Sequence, residues 1–135
     1  MLRTVHALAL ASALALGLAS CASSKATGLP VGPTTPPAGT NGVEVADSVF
    51  RPKQLTVTAG IEVVWKETGS LPHSVTSDTG LFDSNPNCLK DTVNGCMQKG
   101  TEFKFTFSKA GSYPYYCVIH GAKGGVNMSG VITVT

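Results

Sequence analysis

Past residue 42, apolar residues recur at every second position in short runs, and each run ends on turn residues. That rhythm confines the chain to strands. Phe103, Phe105 and Phe107 alternate with Lys104 and Thr106, so a strand there turns one face to a core and the other to water. Val43-Glu44-Val45-Ala46 alternates, and Leu55-Thr56-Val57-Thr58 does so until the turn at Ala59-Gly60. Ile61 to Trp65 is a β-branched run whose Trp supplies bulk to a core. His73 opens a segment with Val75, and Ser112–Cys117 and Val131–Val134 complete the set. Seven to eight short strands divided by turns predict an all-β sandwich or barrel. Only the interval between Val75 and Glu102 has room for a helix. Gly80, Pro86, Asn87, Asn94 and Gly95 interrupt it, so it reads as loop with at most one short helical turn. Residues 43–135 are long enough for a single core.

The residues before 43 belong to a different regime. Met1-Leu2-Arg3 is a short basic opening, and Ala7 to Leu18 is an apolar run too short to span a bilayer. Residues 1–20 read as a signal peptide. The junction Leu18-Ala19-Ser20-Cys21 resembles the bacterial lipobox, in which the Cys is lipidated and becomes the first residue. The alternative is an ordinary signal peptide that contains a Cys. Residues 21–42 are rich in Pro, Gly and Thr, carry no aromatic residue and read as a tether. At roughly 3 Å per extended residue it would let a domain stand up to about 60 Å from a lipid surface. The expected location is therefore an exported, lipid-anchored one, in the periplasm or on the outer face of a cell membrane.

Charge excludes one class of partner. Arg3 and Lys25 precede residue 43, which leaves eight of the ten Lys and Arg against all eight Asp and Glu. A formally neutral domain argues for no nucleic-acid partner. The four cysteines divide by context. With Cys21 lipidated and Cys117 a candidate ligand, Cys88 and Cys96 remain in an exported chain, where paired thiols tend to oxidise to a disulfide. Their other reading, as extra metal ligands, lacks a nearby His or a CxxC spacing.

The chemistry concentrates between Tyr115 and Ser129. Cys117, His120 and Met128 place a thiol, an imidazole and a thioether close together in the chain, and His73 lies upstream in Leu71-Pro72-His73-Ser74-Val75. Taken singly, each has an ordinary explanation as surface or core. Together, two His, one Cys and a weak Met form the ligand set of a type 1 (blue) copper site, because soft sulfur suits Cu(I) and imidazole tolerates Cu(II). His6 falls in the leader, so both remaining histidines are used. Met97, the other methionine past residue 42, adjoins the Cys88–Cys96 loop with no strand pattern around it. Zinc would accept the same His, His and Cys, but a thioether is an unusual choice for zinc and a natural one for copper. Asn127-Met128-Ser129 is formally a glycosylation sequon, read here as coincidence.

The pattern Phe50-x-Pro52-x-x-Leu55-x-Val57-x-x-Gly60-x-x-Val63-x-Trp65, then Pro72-His73-x-Val75, Tyr115-Tyr116-Cys117-x-x-His120 and Met128-x-Gly130 resembles the cupredoxins, nearest the plastocyanin and pseudoazurin branch. The resemblance covers residues 43–135 and implies a Greek-key β-sandwich holding one type 1 copper through His73, Cys117, His120 and Met128. Two departures stand out. Seven residues, Gly121 to Asn127, separate the second His from the Met, where plastocyanin-like chains have about four. Ser74 stands where the family often has Asn; a backbone N–H bond to the thiolate survives that change, while the side-chain link between the ligand loops is weakened or altered.

The expected function is a monomeric one-electron carrier rather than an enzyme, meeting transient redox partners near His120, where Gly121, Ala122, Gly124, Gly125, Leu71 and Pro72 bring little bulk or charge. A copper storage or delivery protein is the alternative, and it predicts surplus Met and His. A copper oxidase or nitrite reductase would need a second copper centre and more histidines.

Overall fold

Alternation in β4 (Glu62–Glu67) sets the inner face of one sheet: Val63, Trp65 and Glu67 are buried, while Glu62 and Lys66 face solvent. The computed structural model describes residues 40–135; the leader, Cys21 and nearly all of the tether lie outside the described residues. The remaining strands are β1 (Gly42–Ala46), β2 (Val49–Arg51), β3 (Gln54–Val57), β5 (Thr76–Ser77), β6 (Glu102–Thr106), β7 (Gly111–Ala122) and β8 (Val126–Val134). They form two four-stranded sheets, ordered β2-β1-β4-β6 and β3-β8-β7-β5. β1 with β4 and β3 with β8 run parallel, and the other neighbours are antiparallel. The all-β sandwich expected from the strand rhythm is the fold observed. Among the described residues no helix is long and apolar enough to cross a membrane.

The core lies between the sheets, with Val43, Val45, Phe50, Val63 and Trp65 from one and Leu55, Val57, Tyr115, Ile132 and Val134 from the other. Trp65 is fully buried and meets the Tyr115 ring edge-on at 5.5 Å, with Phe103 at 5.6 Å and Phe82 at 5.7 Å. Burying such a side chain stabilises the fold by about 1.5–3 kcal/mol. Gly130, opposite Tyr115 in the β7–β8 ladder, leaves room for that ring: a Cβ there would come within 2.5 Å of it.

Several elements depart from the sequence expectation. β1 starts at Gly42, one residue inside the segment assigned to the tether. Phe103 and Phe105 are only half-buried, because β6 is an edge strand, and Phe107 alone of the three is buried. His73 does not open a strand; it sits in irregular backbone and bridges to Met97, and β5 is just Thr76–Ser77. Between Val75 and Glu102 the backbone makes single helical turns, Asp91 N–H to Asn87 O and Gly95 N–H to Asp91 O.

Candidate metal centre

β7 and β8 pair from Gly111↔Val134 to Tyr116↔Ser129, and again at Gly121↔Asn127 and Ala122↔Val126. Between those stretches, Cys117 to His120 on β7 stand against Met128 alone on β8. The extra residues bow out of the ladder as an extended bulge. Strict alternation would send side chains three apart to opposite faces; here Cys117 Sγ and His120 Nδ1 come within 3.6 Å. Cys117 is a free thiol with no exposed surface, and Met128 is buried. The long spacing from His120 to Met128 is thus a hairpin rather than an open loop. Its tip turns through Gly124 and Gly125, at φ +81° and +82°, and the Gly124 N–H donates to Asp78 Oδ2 at 2.8 Å. Gly121 is required where the bulge closes, since a Cβ would run into the Met128 carbonyl and lie 2.8 Å from that of Val126.

A second segment reaches the same place from the other side of the ladder. His73 exchanges both backbone hydrogen bonds with Met97, at 3.3 and 2.8 Å, and Met97 directly follows the bridged Cys88–Cys96 loop. The Ser74 N–H donates to Cys117 Sγ at 3.4 Å, and the Ser74 hydroxyl accepts the Val118 N–H at 2.9 Å. The serine side chain therefore keeps a link between the two segments. The His73 and His120 rings lie 4.8 Å apart, centre to centre.

His73 is fully buried, and its two ring nitrogens face different partners. Nδ1 shares a 2.9 Å hydrogen bond with Glu67 Oε2, and the Ser48 N–H donates to Nε2 at 3.3 Å. The other Glu67 oxygen accepts the Gly69 N–H at 2.8 Å. Burial pushes Glu67 up to about 7 and holds His73 below its usual 6.5. His120 is also held low, by burial first and then by the neighbouring His73.

Among the described residues no three His, Cys, Asp or Glu side chains converge as they stand into a metal-holding group, since His73 is turned to Glu67 while Cys117 and His120 face each other. The donor chemistry nevertheless fits copper. A buried thiol carries a backbone N–H, two imidazoles lie in ring contact, and a buried thioether stands opposite the bulge. A metal at His73 would displace one of the ring's two present contacts.

Glu67 is the residue that sequence reasoning missed. The signal was there: Val63, Trp65 and Glu67 share one parity along β4, so the alternation that buries the tryptophan also buries the carboxylate.

Comparison with known proteins agrees with this construction. Residues 37–135 match the family described as "Copper binding proteins, plastocyanin/azurin family". Amicyanin-alpha of Methylorubrum extorquens is 31% identical over 112 residues, covering 83% of this chain and 90% of that protein. Plastocyanin of Scenedesmus fuscus is 31% identical over 97 residues, covering 69% and 93%. Among solved structures, a purple cupredoxin from Nitrosopumilus maritimus shares the fold with a TM-score of 0.54 at 23% identity, over 70% of this chain and 98% of that one. The chain therefore belongs to the plastocyanin/azurin family of copper-binding proteins, the cupredoxins, and copper is its metal.

Proposed function

We propose that this protein is a one-electron carrier whose type 1 copper is held by His73, Cys117, His120 and Met128. The observation that carries this reading is the β7 bulge, which brings a buried Cys117 thiol to His120 while the thiol accepts the Ser74 N–H. When bound, copper supplies exchange between Cu(II) and Cu(I). Cys117 contributes the thiolate, and the Ser74 N–H stabilises its charge. His120 is half-exposed and provides the edge toward a partner. Leu71 and Val126, 45% and 48% exposed, flank the ligand segments with apolar surface suited to brief redox encounters. Past residue 42 the chain has two histidines and two methionines. That is enough for one such site and offers no further histidines for a catalytic copper or for metal storage.

The carrier works from a membrane through acyl chains on Cys21, where each buried methylene contributes about 0.8 kcal/mol, and the Pro-rich tether gives it reach. The deciding experiment is the spectrum of copper-loaded, oxidised protein. An intense visible thiolate band that vanishes on reduction, and is abolished by Cys117→Ser, supports the site; a colourless Cu(II) adduct in the wild type overturns it. Met128→Leu retains copper and raises the potential, while Met97→Leu leaves both unchanged. Cys21→Ser blocks lipid attachment and leaves the copper site intact. A Cys21→Ser protein that still fractionates with membranes after full processing would overturn the lipid anchor.

A further inference from the structure

The Ser74 side chain is fully buried, and its surroundings fix where its own hydrogen goes. Its oxygen accepts the Val118 N–H at 2.9 Å, and Thr76 Oγ1 lies 3.1 Å away. The Thr76 hydroxyl donates in turn to Asp83 Oδ1 at 3.3 Å. An amide N–H can only donate, and a carboxylate can only accept. Direction is therefore set from both ends. Thr76 commits its one hydrogen to Asp83, so Ser74 donates to Thr76. Backbone pairing holds the far end of this chain. Thr76 and Asp83 face each other across an antiparallel bridge, with the Ser77 N–H donating to Phe82 O and the Ser84 N–H to Val75 O, each at 2.9 Å. That is the pairing in which facing side chains come closest. Asp83 Oδ1 also accepts the Asn85 N–H at 3.0 Å, which holds the carboxylate in place. Thr76 is itself paired with Tyr116 on β7, so the chain of hydroxyls lies against the residue before Cys117. Asp83 is exposed, while Ser74 and Thr76 are buried.

We propose that Asp83 is a positioning residue for the Cys117 segment: through the Thr76 and Ser74 hydroxyls, its carboxylate strengthens the bond that pins the Val118 N–H where the β7 bulge begins. Hydrogen bonds that run one way along a chain polarise one another, and an ionised acceptor at the end strengthens them further. The Val118 nitrogen shares a peptide group with the Cys117 carbonyl, so restraining it restrains Cys117 before any metal arrives. A bulge held in this way releases copper more slowly than one held by an isolated serine. The inference rests on the proposed role of Cys117 as a ligand for its copper readout alone.

The test follows the Val118 amide by NMR in metal-free protein, reading its proton shift and its hydrogen exchange against the amide of buried Ile132 on β8. Ser74→Ala removes the acceptor and sets the full effect, which should be exchange about 2- to 10-fold faster at Val118 relative to Ile132, as the loss of one hydrogen bond implies. Thr76→Val keeps the shape without the hydroxyl, and Asp83→Asn keeps the shape without the charge. Each should reach part of the Ser74→Ala change in both shift and exchange, and Thr76→Ser should match wild type. In the copper form, Thr76→Val and Asp83→Asn should lose copper to a chelator faster than wild type, with the thiolate band retained. A Val118 amide unmoved by Asp83→Asn would overturn the inference, since the carboxylate then adds nothing. One moved by Asp83→Asn but not by Thr76→Val would overturn it too, since the charge then acts through space. Equal acceleration at Val118 and Ile132 would show a merely structural carboxylate, and unchanged copper loss beside a moved Val118 amide would overturn the positioning role. A wild type without the visible thiolate band defeats the copper reading instead; the Val118 amide of metal-free protein then decides the hydroxyl chain alone.

Discussion

Ser74 shows how much one short side chain can carry. Its N–H serves the Cys117 sulfur and its hydroxyl serves the Val118 N–H, with Thr76 Oγ1 3.1 Å away. Ser74→Ala removes only the hydroxyl bonds, so the thiolate keeps its donor. It should lower stability by about 1 kcal/mol, read by denaturant titration of metal-free protein, with the visible band of the copper form retained. The titratable groups here set a pH dependence. His73 and His120 are held below 6.5 by burial, so the unfolded chain takes up protons that the folded one refuses. Their contribution is intact above 6.5 and is lost as pH falls through the folded values. Glu67 has the opposite sign: raised from 4.5 to about 7, it contributes fully below 4.5 and loses that contribution as pH rises through about 7. It therefore offsets part of the histidine loss. In metal-free Glu67→Gln, stability should fall more steeply between pH 6.5 and 4.5 than in wild type, as a series of denaturant titrations will show.

At the scale of elements, the decisive unit is the β7–β8 hairpin. Its strand character was legible at Ser112–Cys117 and Val131–Val134, where alternation marks the two ends. The middle was not, because Val118 to Asn127 mixes glycine with isolated apolar residues and has no period. The bulge arises from the register offset between two strands that are each unremarkable alone. Gly121→Ala tests it. The added Cβ collides with the Met128 carbonyl, so the bulge must reopen and the thiolate band should weaken or shift. Gly124→Ala meets no atom within 4 Å and bears only the cost of φ +81°, about 1 kcal/mol. It should lower the melting temperature slightly and leave the spectrum alone. Equal spectral damage from both substitutions would show that the tip, rather than the bulge, holds the ligands.

For the whole molecule, the Cys88–Cys96 bridge ties an irregular loop to the His73 segment. Met97 follows the bridge and pairs with the His73 backbone, and Cys88 Sγ lies 3.8 Å from the His73 carbonyl oxygen. Replacing both cysteines with alanine should cost about 2–3 kcal/mol on the chain-entropy account of a nine-residue loop. Thermal melting should show that loss, and the copper band should persist because Ser74 and Thr76 still hold the segment to β7 and Asp83. Loss of copper at temperatures where the double variant remains folded would mean that the staple, and not the Ser74 contacts, keeps His73 in place.

Period-two alternation depends only on neighbouring residues, so it was readable from the chain: Leu55, Val57, Val63 and Trp65 point inward because their strands leave them no other face. The candidate donor set could be named for a similar reason, since thiol, imidazole and thioether chemistry belongs to Cys117, His73, His120 and Met128 wherever they stand. Which of them meet is a matter of tertiary register. Four residues against one on the β7–β8 ladder join Cys117 to His120. Backbone pairing with Met97 takes His73 out of a strand and sets it beside Glu67. Neither could be read locally, because each depends on contacts between segments remote in sequence or on the offset between paired strands.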